Sequence, residues 1–514
     1  MFKGQPKGLI SAALSNMGER FGYYIMNAVL LLFLCSKFGV SDEVSGVIYS
    51  VFYALIYVLA LVGGYIADKT QNYKGTIMAG LVTMAAGYVL LSIPILATPE
   101  NTSWLLPFTC LALLIIAFGN GLFKGNLQAI VGQMYDNPKY ADKRDSGFQI
   151  FYVFINIGGL VAPFIAPLLR SWWLGVNNMA YNAGLPELCH DYINAGGNLA
   201  PDQLAKFQGL AESVMQNGVP VGDLMTFSQN YLDVFNTGVH YSFFASVAAM
   251  LISLLIFVFT KKSMPNPAKK ESVAVEQYTK EEKLAMAKEI RQRLYALFAV
   301  LGIAIFFWFS FHQNGQSLSV FARDFVDTAS IAPEIWQAVN PFFVITLTPL
   351  VMLVFSAIKK RRGHDISTPR KIAIGMLIAG IAYLFLTLFA SVQGYPSGEE
   401  FRSLDTATQN AMKAGPWVLI VTYFFLTVAE LFISPLGLSF VSKVAPKHLQ
   451  GVCQGLWLGA TAVGNLLIWI GPLMYNSFSK QWMCWLVFMI VCLISMGVML
   501  GMVKWLERVT MDKE

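Results

Sequence analysis

Long apolar stretches alternate with short polar ones along nearly all of this 514-residue chain. Twelve stretches reach the length of about 20 residues that a helix needs to cross a bilayer: 12–35, 44–67, 76–96, 104–134, 146–168, 240–260, 295–322, 335–358, 370–391, 415–442, 449–475 and 482–505. Several run longer, which predicts tilt or extension beyond the lipid. The pattern predicts an all-α polytopic membrane protein of 12 transmembrane helices, each satisfying its own backbone hydrogen bonds.

The stretches fall into two groups of six. Residues 1–260 are expected to form an N-terminal bundle and residues 295–514 a C-terminal bundle, joined by a basic linker at 261–294. Two such bundles imply a site near the midplane and alternating access by rocking one half against the other. Inside the first bundle, residues 171–239 form a long connection of mixed helical character, expected to be a small cap on the outer side. In the linker, Pro265 and Pro267 break the chain and Thr279 to Glu282 reads as a capping box. Glu282, Met286, Ile290 and Leu294 then recur at four-residue steps, and Glu289 is spaced to pair with Arg293. Either a helix lying on the inner leaflet or a solvated linker helix fits that spacing.

Composition narrows the class. With 56% hydrophobic and 13% charged residues, the chain lacks the polar surface of a soluble protein of this length. The net charge of +6 is carried by short runs such as Lys261-Lys262, Lys269-Lys270, Lys143-Arg144 and Lys359 to Arg362, so it marks loops rather than a nucleic-acid surface. Placing both termini in the cytoplasm puts roughly three quarters of the 36 lysines and arginines on that side. The six cysteines have no metal or redox spacing and read as packing residues. Met1 to Gly8 is polar and does not read as a cleavable leader. Neither a GxSxG nor an HExxH occurs, which leaves no signature of an intramembrane enzyme.

Against this apolar background a few ionisable residues stand out, and at membrane depth each is costly enough to imply a task. Glu19 and Arg20 lie in Gly18-Glu-Arg-Phe-Gly-Tyr23-Tyr24. Lys124 follows about 20 largely apolar residues, too far from a helix end to snorkel. Gly121 and Gly125 around it form a close-packing GxxxG face, and the absence of a preceding strand excludes a dinucleotide fingerprint. Glu430 precedes Ser434-Pro435, a carboxylate beside a proline-weakened helix. Lys124 and Glu430 come from opposite halves and suit a small zwitterion, carboxylate to lysine and ammonium to glutamate; a structural salt bridge between them is the alternative. Asn156 and Asn340 place amides in the fifth and eighth stretches, either as inter-helix glue or as acceptors for an ammonium group. Asp68, closing Gly63-Gly-Tyr-Ile-Ala-Asp68, is placed to accept hydrogen bonds from a neighbouring helix N-terminus.

Taken together, GERFGYY at 18–24, GGYIAD at 63–68, Lys124 in its Gly-rich helix, FYVFINIG at 151–158 and ELFISPLGLS at 430–439 resemble the proton-dependent oligopeptide transporter (POT or PTR) family of the major facilitator superfamily. The resemblance implies uptake of di- and tripeptides coupled to inward proton movement, with the proton as coupling ion and no other cofactor or metal. It implies that Arg20 and Lys124 hold the peptide carboxylate and that Glu430, Asn156 and Asn340 hold its amino terminus. Tyr23, Tyr24, Tyr57, Trp308, Ser434 and Trp457 would shape the remaining substrate pockets. Glu19 would carry the proton, with Arg20, Lys124 and Glu430 sharing in coupling. The expected partners are a short peptide and the bilayer, with no nucleic acid, and the expected setting is a monomer in the cytoplasmic (inner) membrane. A transporter of the same fold for another small solute, or a facilitator with weakened coupling, is the alternative.

Three positions depart from the family pattern: Asn16 replaces a glutamate, Asn27 an arginine and His312 an acidic residue. An arginine and an acid lost together strand no buried charge. His312 either takes over as the titrating gate residue, or stays neutral and hydrogen-bonds Asn27 while Glu19 remains the sole carrier.

Overall fold

The computed structural model describes residues 4–40, 42–182, 185–265, 280–315, 317–327, 336, 338–404, 406–446 and 449–511. The first half comprises α1 (Lys7–Phe38), α2 (Asp42–Thr70), α3 (Tyr73–Ser92), α4 (Thr102–Met134), α5 (Arg144–Val176), α6 (Leu185–Asn194), α7 (Pro201–Val214) and α8 (Leu224–Thr260). The second comprises α9 (Lys280–Phe311), α10 (Ser317–Phe325), α11 (Val339–Arg362), α12 (Thr368–Gln393), α13 (Gly398–Ser403), α14 (Thr406–Met412), α15 (Trp417–Leu431), α16 (Ser434–Val444), α17 (Gln450–Leu467), α18 (Ile470–Ser477) and α19 (Gln481–Met511). Among the described residues, ten helices are long and apolar enough to cross a membrane, and Val452–Leu467 is a shorter apolar helix. The chain is a multi-pass, all-helical membrane protein. The stretch expected at 12–35 is helical throughout but is not one of the ten; α1 is 32 residues long, about 48 Å by the rise of an α-helix.

Several expected boundaries move. The stretch at 415–442 divides into α15 and α16 at Phe432-Ile433, and Pro435 enters the first turn of α16, where its missing N–H costs nothing. The stretch at 449–475 likewise divides into α17 and α18. The stretch at 295–322 ends at Phe311, where a 3-10 turn over His312–Gly315 leads into α10. The linker helix is not a separate element: from Lys280 it is continuous with α9, and Glu289 pairs with Arg293 at 2.9 Å. The capping threonine Thr279 lies outside the described residues. The expected cap at 171–239 consists of α6 and α7, while α5 and α8 run beyond their expected ends into the same region.

Helices α1, α3, α4, α5 and α8 pack among themselves, as do α9, α12, α15, α17 and α19. The halves meet through α2 with α17 and α5 with α11. Glycine permits the closest approaches inside the first half. A Cβ at Gly80 would lie 2.6 Å from the Gly119 carbonyl, and one at Gly63 would run into the Gly121 backbone. Gly121 thus packs as expected, whereas Gly125 has ordinary room beside Ala60 and Gly455 at 3.8 Å.

The end of the molecule that carries the N-terminus is cross-linked between halves. Asp68 accepts a hydrogen bond from the Val452 amide at 2.9 Å, at the start of α17, and another from the Tyr73 hydroxyl. Arg144 donates to the Ser442 carbonyl at 3.0 Å. Asp145 pairs with Lys443 at 3.1 Å and Lys371 at 3.4 Å, and accepts from Ser439. The free amides at the start of α17 are therefore partly satisfied by a carboxylate from the opposite half, as the Gly63–Asp68 segment suggested.

Candidate functional site

A cavity of about 240 Å³ lies between the halves and is lined from both. Helical periodicity explains its wall. Asn16, Arg20, Tyr24 and Asn27 recur at four- and three-residue steps and form one stripe of α1 facing the cavity. Tyr49, Tyr53 and Tyr57 form a second stripe on α2. Lys124 and Gln128 share a face of α4, and Tyr152 and Asn156 share a face of α5. From the second half come Trp308 and His312, then Asn340, Glu430, Ser434 and Trp457.

The same periodicity turns Glu19 and Tyr23 away, because each precedes a cavity-facing residue by one position. Glu19 is fully buried and takes a bidentate ion pair from Arg20, with both contacts at 2.6 Å, plus a hydrogen bond from the Asn120 amide at 2.7 Å. Arg20 also lies 4.5 Å from the Tyr23 ring centroid. Tyr23 stands behind the wall, its hydroxyl donating to Asn27 Oδ1 at 3.2 Å. Tyr23 therefore lies outside the cavity lining expected of it and contacts Arg20 and Asn27 instead.

The two charges at the centre are held differently. Lys124 Nζ sits 4.1 Å from the Tyr57 ring centroid, a cation–π contact, and among the described residues it makes no ion pair. Glu430 is the penultimate residue of α15, just before the helix break. It accepts from the Tyr152 hydroxyl on one oxygen and from Asn340 Nδ2 at 2.7 Å on the other, while Asn340 also donates to Thr427 at 3.0 Å. Among the described residues Glu430 makes no ion pair either, so the two do not form the salt bridge that was the alternative reading. Asn156, which lines the cavity, donates to the Tyr152 carbonyl one turn back at 2.9 Å. Ser434 starts α16, and its hydroxyl and the Trp308 indole N–H are both buried.

At the far end of the cavity from the cross-links, His312 stacks on Trp308 with ring centroids 4.9 Å apart and meets Tyr53 edge-on at 6.0 Å. Its Nδ1 is bonded to Asn465 Oδ1, not to Asn27. The oxygen of Asn27 is taken by the hydroxyls of Tyr23 at 3.2 Å and Tyr49 at 3.0 Å. The His312–Asn27 bond, one of the two alternatives for this histidine, is therefore absent: the helix ends at Phe311, and the turn carries the imidazole toward α17.

Sequence reasoning missed Tyr49, Tyr53, Gln128, Tyr152 and Asn465. The tyrosines at 49, 53 and 57 were detectable as an i, i+4 stripe, and Gln128 follows Lys124 by one turn. Tyr152 lay inside a quoted motif but carried no local sign that it would reach Glu430.

A family model described as PTR2, POT family, matches residues 74–281 and 268–486. The chain belongs to the POT family. This POT-family chain is 28% identical to dipeptide and tripeptide permease B of Edwardsiella piscicida, over 90% of the chain and 85% of that protein. It is 29% identical to the peptide transporter YePEPT of Yersinia enterocolitica, over 90% of the chain and 87% of that protein. Among solved structures, a POT family transporter in complex with a thioalcohol-conjugated peptide superposes with a TM-score of 0.64 at 20% identity, covering 98% of each chain. Peptide transporter POT in complex with sulfate superposes with a TM-score of 0.63 at 21% identity, covering 99% of this chain and 97% of that one. The fold of these structures therefore covers nearly all of the chain, including the helices before residue 74.

Proposed function

We propose that this protein is a proton-coupled symporter that imports di- and tripeptides by alternating access. The observation that carries the reading is the pair of unmatched charges: Lys124 and Glu430 face one cavity from opposite halves, and among the described residues neither is bonded to an ion of the other sign. A zwitterion supplies both missing partners at once. Its carboxylate goes to Lys124 and Arg20, and its ammonium group to Glu430 beside Asn156 and Asn340. Tyr24, Tyr57, Trp308, Ser434 and Trp457 then border the side chains. A bundle of residues 1–260 rocks against one of residues 295–514, joined by 261–294, with twelve crossings and both termini in the cytoplasm. The basic runs support that orientation in the inner membrane, and the protein works as a monomer.

In this proposal Glu19 carries the proton. Protonation would release Arg20 from its bidentate pair, freeing a cation for the peptide carboxylate. The proton is the only coupling species, with no cofactor. A facilitator with weakened coupling is the second reading, favoured by the tight Glu19–Arg20 pair and by His312 being held by Asn465. Counterflow of labelled dialanine in proteoliposomes tests transport without assuming a driving ion, with free amino acids as competitors. Uptake against pH for Glu19→Gln and His312→Gln then separates the readings. A flat profile in the glutamate variant alone supports Glu19 as carrier, and a flat profile in the unaltered protein sinks coupling.

A further inference from the structure

Below the level of the charges lies a second, uncharged level. Moving one helical turn toward the cross-linked end, Arg20 is replaced by Asn16 on α1, Lys124 by Gln128 on α4, and Glu430 by Ser434 at the start of α16. One turn is about 6 Å for a four-residue step. All three line the same cavity. Asn16 and Gln128 are each 3% exposed. Among the described residues the Gln128 Oε1 is buried without a hydrogen-bond partner, and Asn16 meets the same cavity one turn below Arg20. A carboxamide oxygen held like that of Gln128 costs stability unless something else completes it.

We propose that Asn16 and Gln128 form a subsite for an uncharged, hydrogen-bonding side chain of the substrate, the carboxamide of glutamine or asparagine above all. The proposal rests on the zwitterion reading of Lys124 and Glu430, which clasps the two ends of a peptide one turn above and directs a side chain toward the closed end. A carboxamide both donates and accepts, as do Asn16 and Gln128, so reciprocal pairing satisfies both partners. An apolar side chain of the same length fills the space and leaves the protein amides unpaired. A charged side chain fares worst, because Asn16, Gln128 and Ser434 offer it no counter-ion and burial strips its water.

The test is competition against labelled dialanine counterflow by alanyl-glutamine, alanyl-methionine and alanyl-glutamate and by the same three peptides in reversed order. In one of the two orders, the glutamine peptide is expected to compete about tenfold better than the methionine peptide of equal length, and better still than the glutamate peptide. In Asn16→Leu/Gln128→Leu the glutamine-to-methionine ratio is expected to fall to near one. The same ratio read from ligand-induced rises in the melting temperature of purified protein serves if the variant transports too slowly. Equal competition by glutamine and methionine peptides in both orders, with dialanine still transported, overturns the subsite alone. A preference that survives the double substitution also overturns it. Absence of any dialanine counterflow in the unaltered protein would overturn the transport reading and take the subsite with it.

Discussion

Glu430→Gln is the most direct probe of how the cavity holds its guest. The substitution preserves shape and one acceptor oxygen, so Asn340 can go on donating to it while the Tyr152 hydroxyl turns to accept from the new NH2, and the charge is removed. What is lost is a charge-assisted hydrogen bond to the substrate ammonium in a water-poor site. Such bonds contribute about 1.5–3 kcal/mol, and leaving one partner of a buried charged pair alone costs about 2–5 kcal/mol. Among the described residues no cation pairs with Glu430 to share the loss, so a value of about 3 kcal/mol is expected, or about 100-fold in affinity. Dialanine and N-acetyl-dialanine make this a cycle, because acetylation deletes the charge from the other partner. The unaltered protein should prefer the free amine by about 100-fold in competition or in ligand-induced melting shifts. Glu430→Gln should bind the two within about threefold of each other, so that the coupling energy vanishes. A preference for the free amine that persists undiminished in Glu430→Gln would refute the assignment, whatever happens to the overall rate. The mirror experiment pairs Lys124→Gln with dialanine amide, which lacks the carboxylate.

Other expectations follow from particular contacts. Glu19→Gln leaves the Arg20 guanidinium buried beside a neutral amide, which should lower stability by about 3–5 kcal/mol and show as a lower melting temperature; Glu19→Gln/Arg20→Gln should recover part of it. Gly437→Ala should weaken peptide binding more than it lowers the melting temperature, because a Cβ there runs into the Trp457 ring that lines the cavity. Asp68→Asn removes the charged acceptor at the start of α17, at a cost of about 1 kcal/mol in the cross-linked state. Cysteine labelling near Val452 should accordingly become faster. In the α6–α7 insert, burial lowers the pKa of His190, whose Nε2–H donates to the Ser36 carbonyl at 2.7 Å. A histidine kept neutral by the fold resists protonation, so docking of the insert is fully stable above the ordinary histidine pKa of about 6.5 and weakens as pH falls below it. Hydrogen exchange over 185–214 should rise between about pH 7 and pH 5, and His190→Gln should remove that rise.

Much of the architecture was legible before any coordinates because its causes are local. A run of apolar residues about 20 long has few fates besides a membrane helix, and the break after Glu430 is written in Ser434-Pro435. The four- and three-residue steps of Asn16, Arg20, Tyr24 and Asn27 are those of one helix face, a pattern the cavity brought to notice. Lys124 and Glu430 were conspicuous because an ion in hydrocarbon needs a reason. Which way each face turned was a different matter. That Arg20 meets the cavity while Glu19 and Tyr23 stand behind it depends on the rotation of α1 against α4 and α5. The partners of buried polar atoms were equally out of reach: Tyr152 finds Glu430 278 positions away, and His312 finds Asn465 153 away. Periodicity along a helix is fixed by 3.6 residues per turn, and a single segment reveals it. The rotation and partners of that helix are chosen by packing against segments far along the chain, where small residues allow contact and every buried polar group seeks its complement.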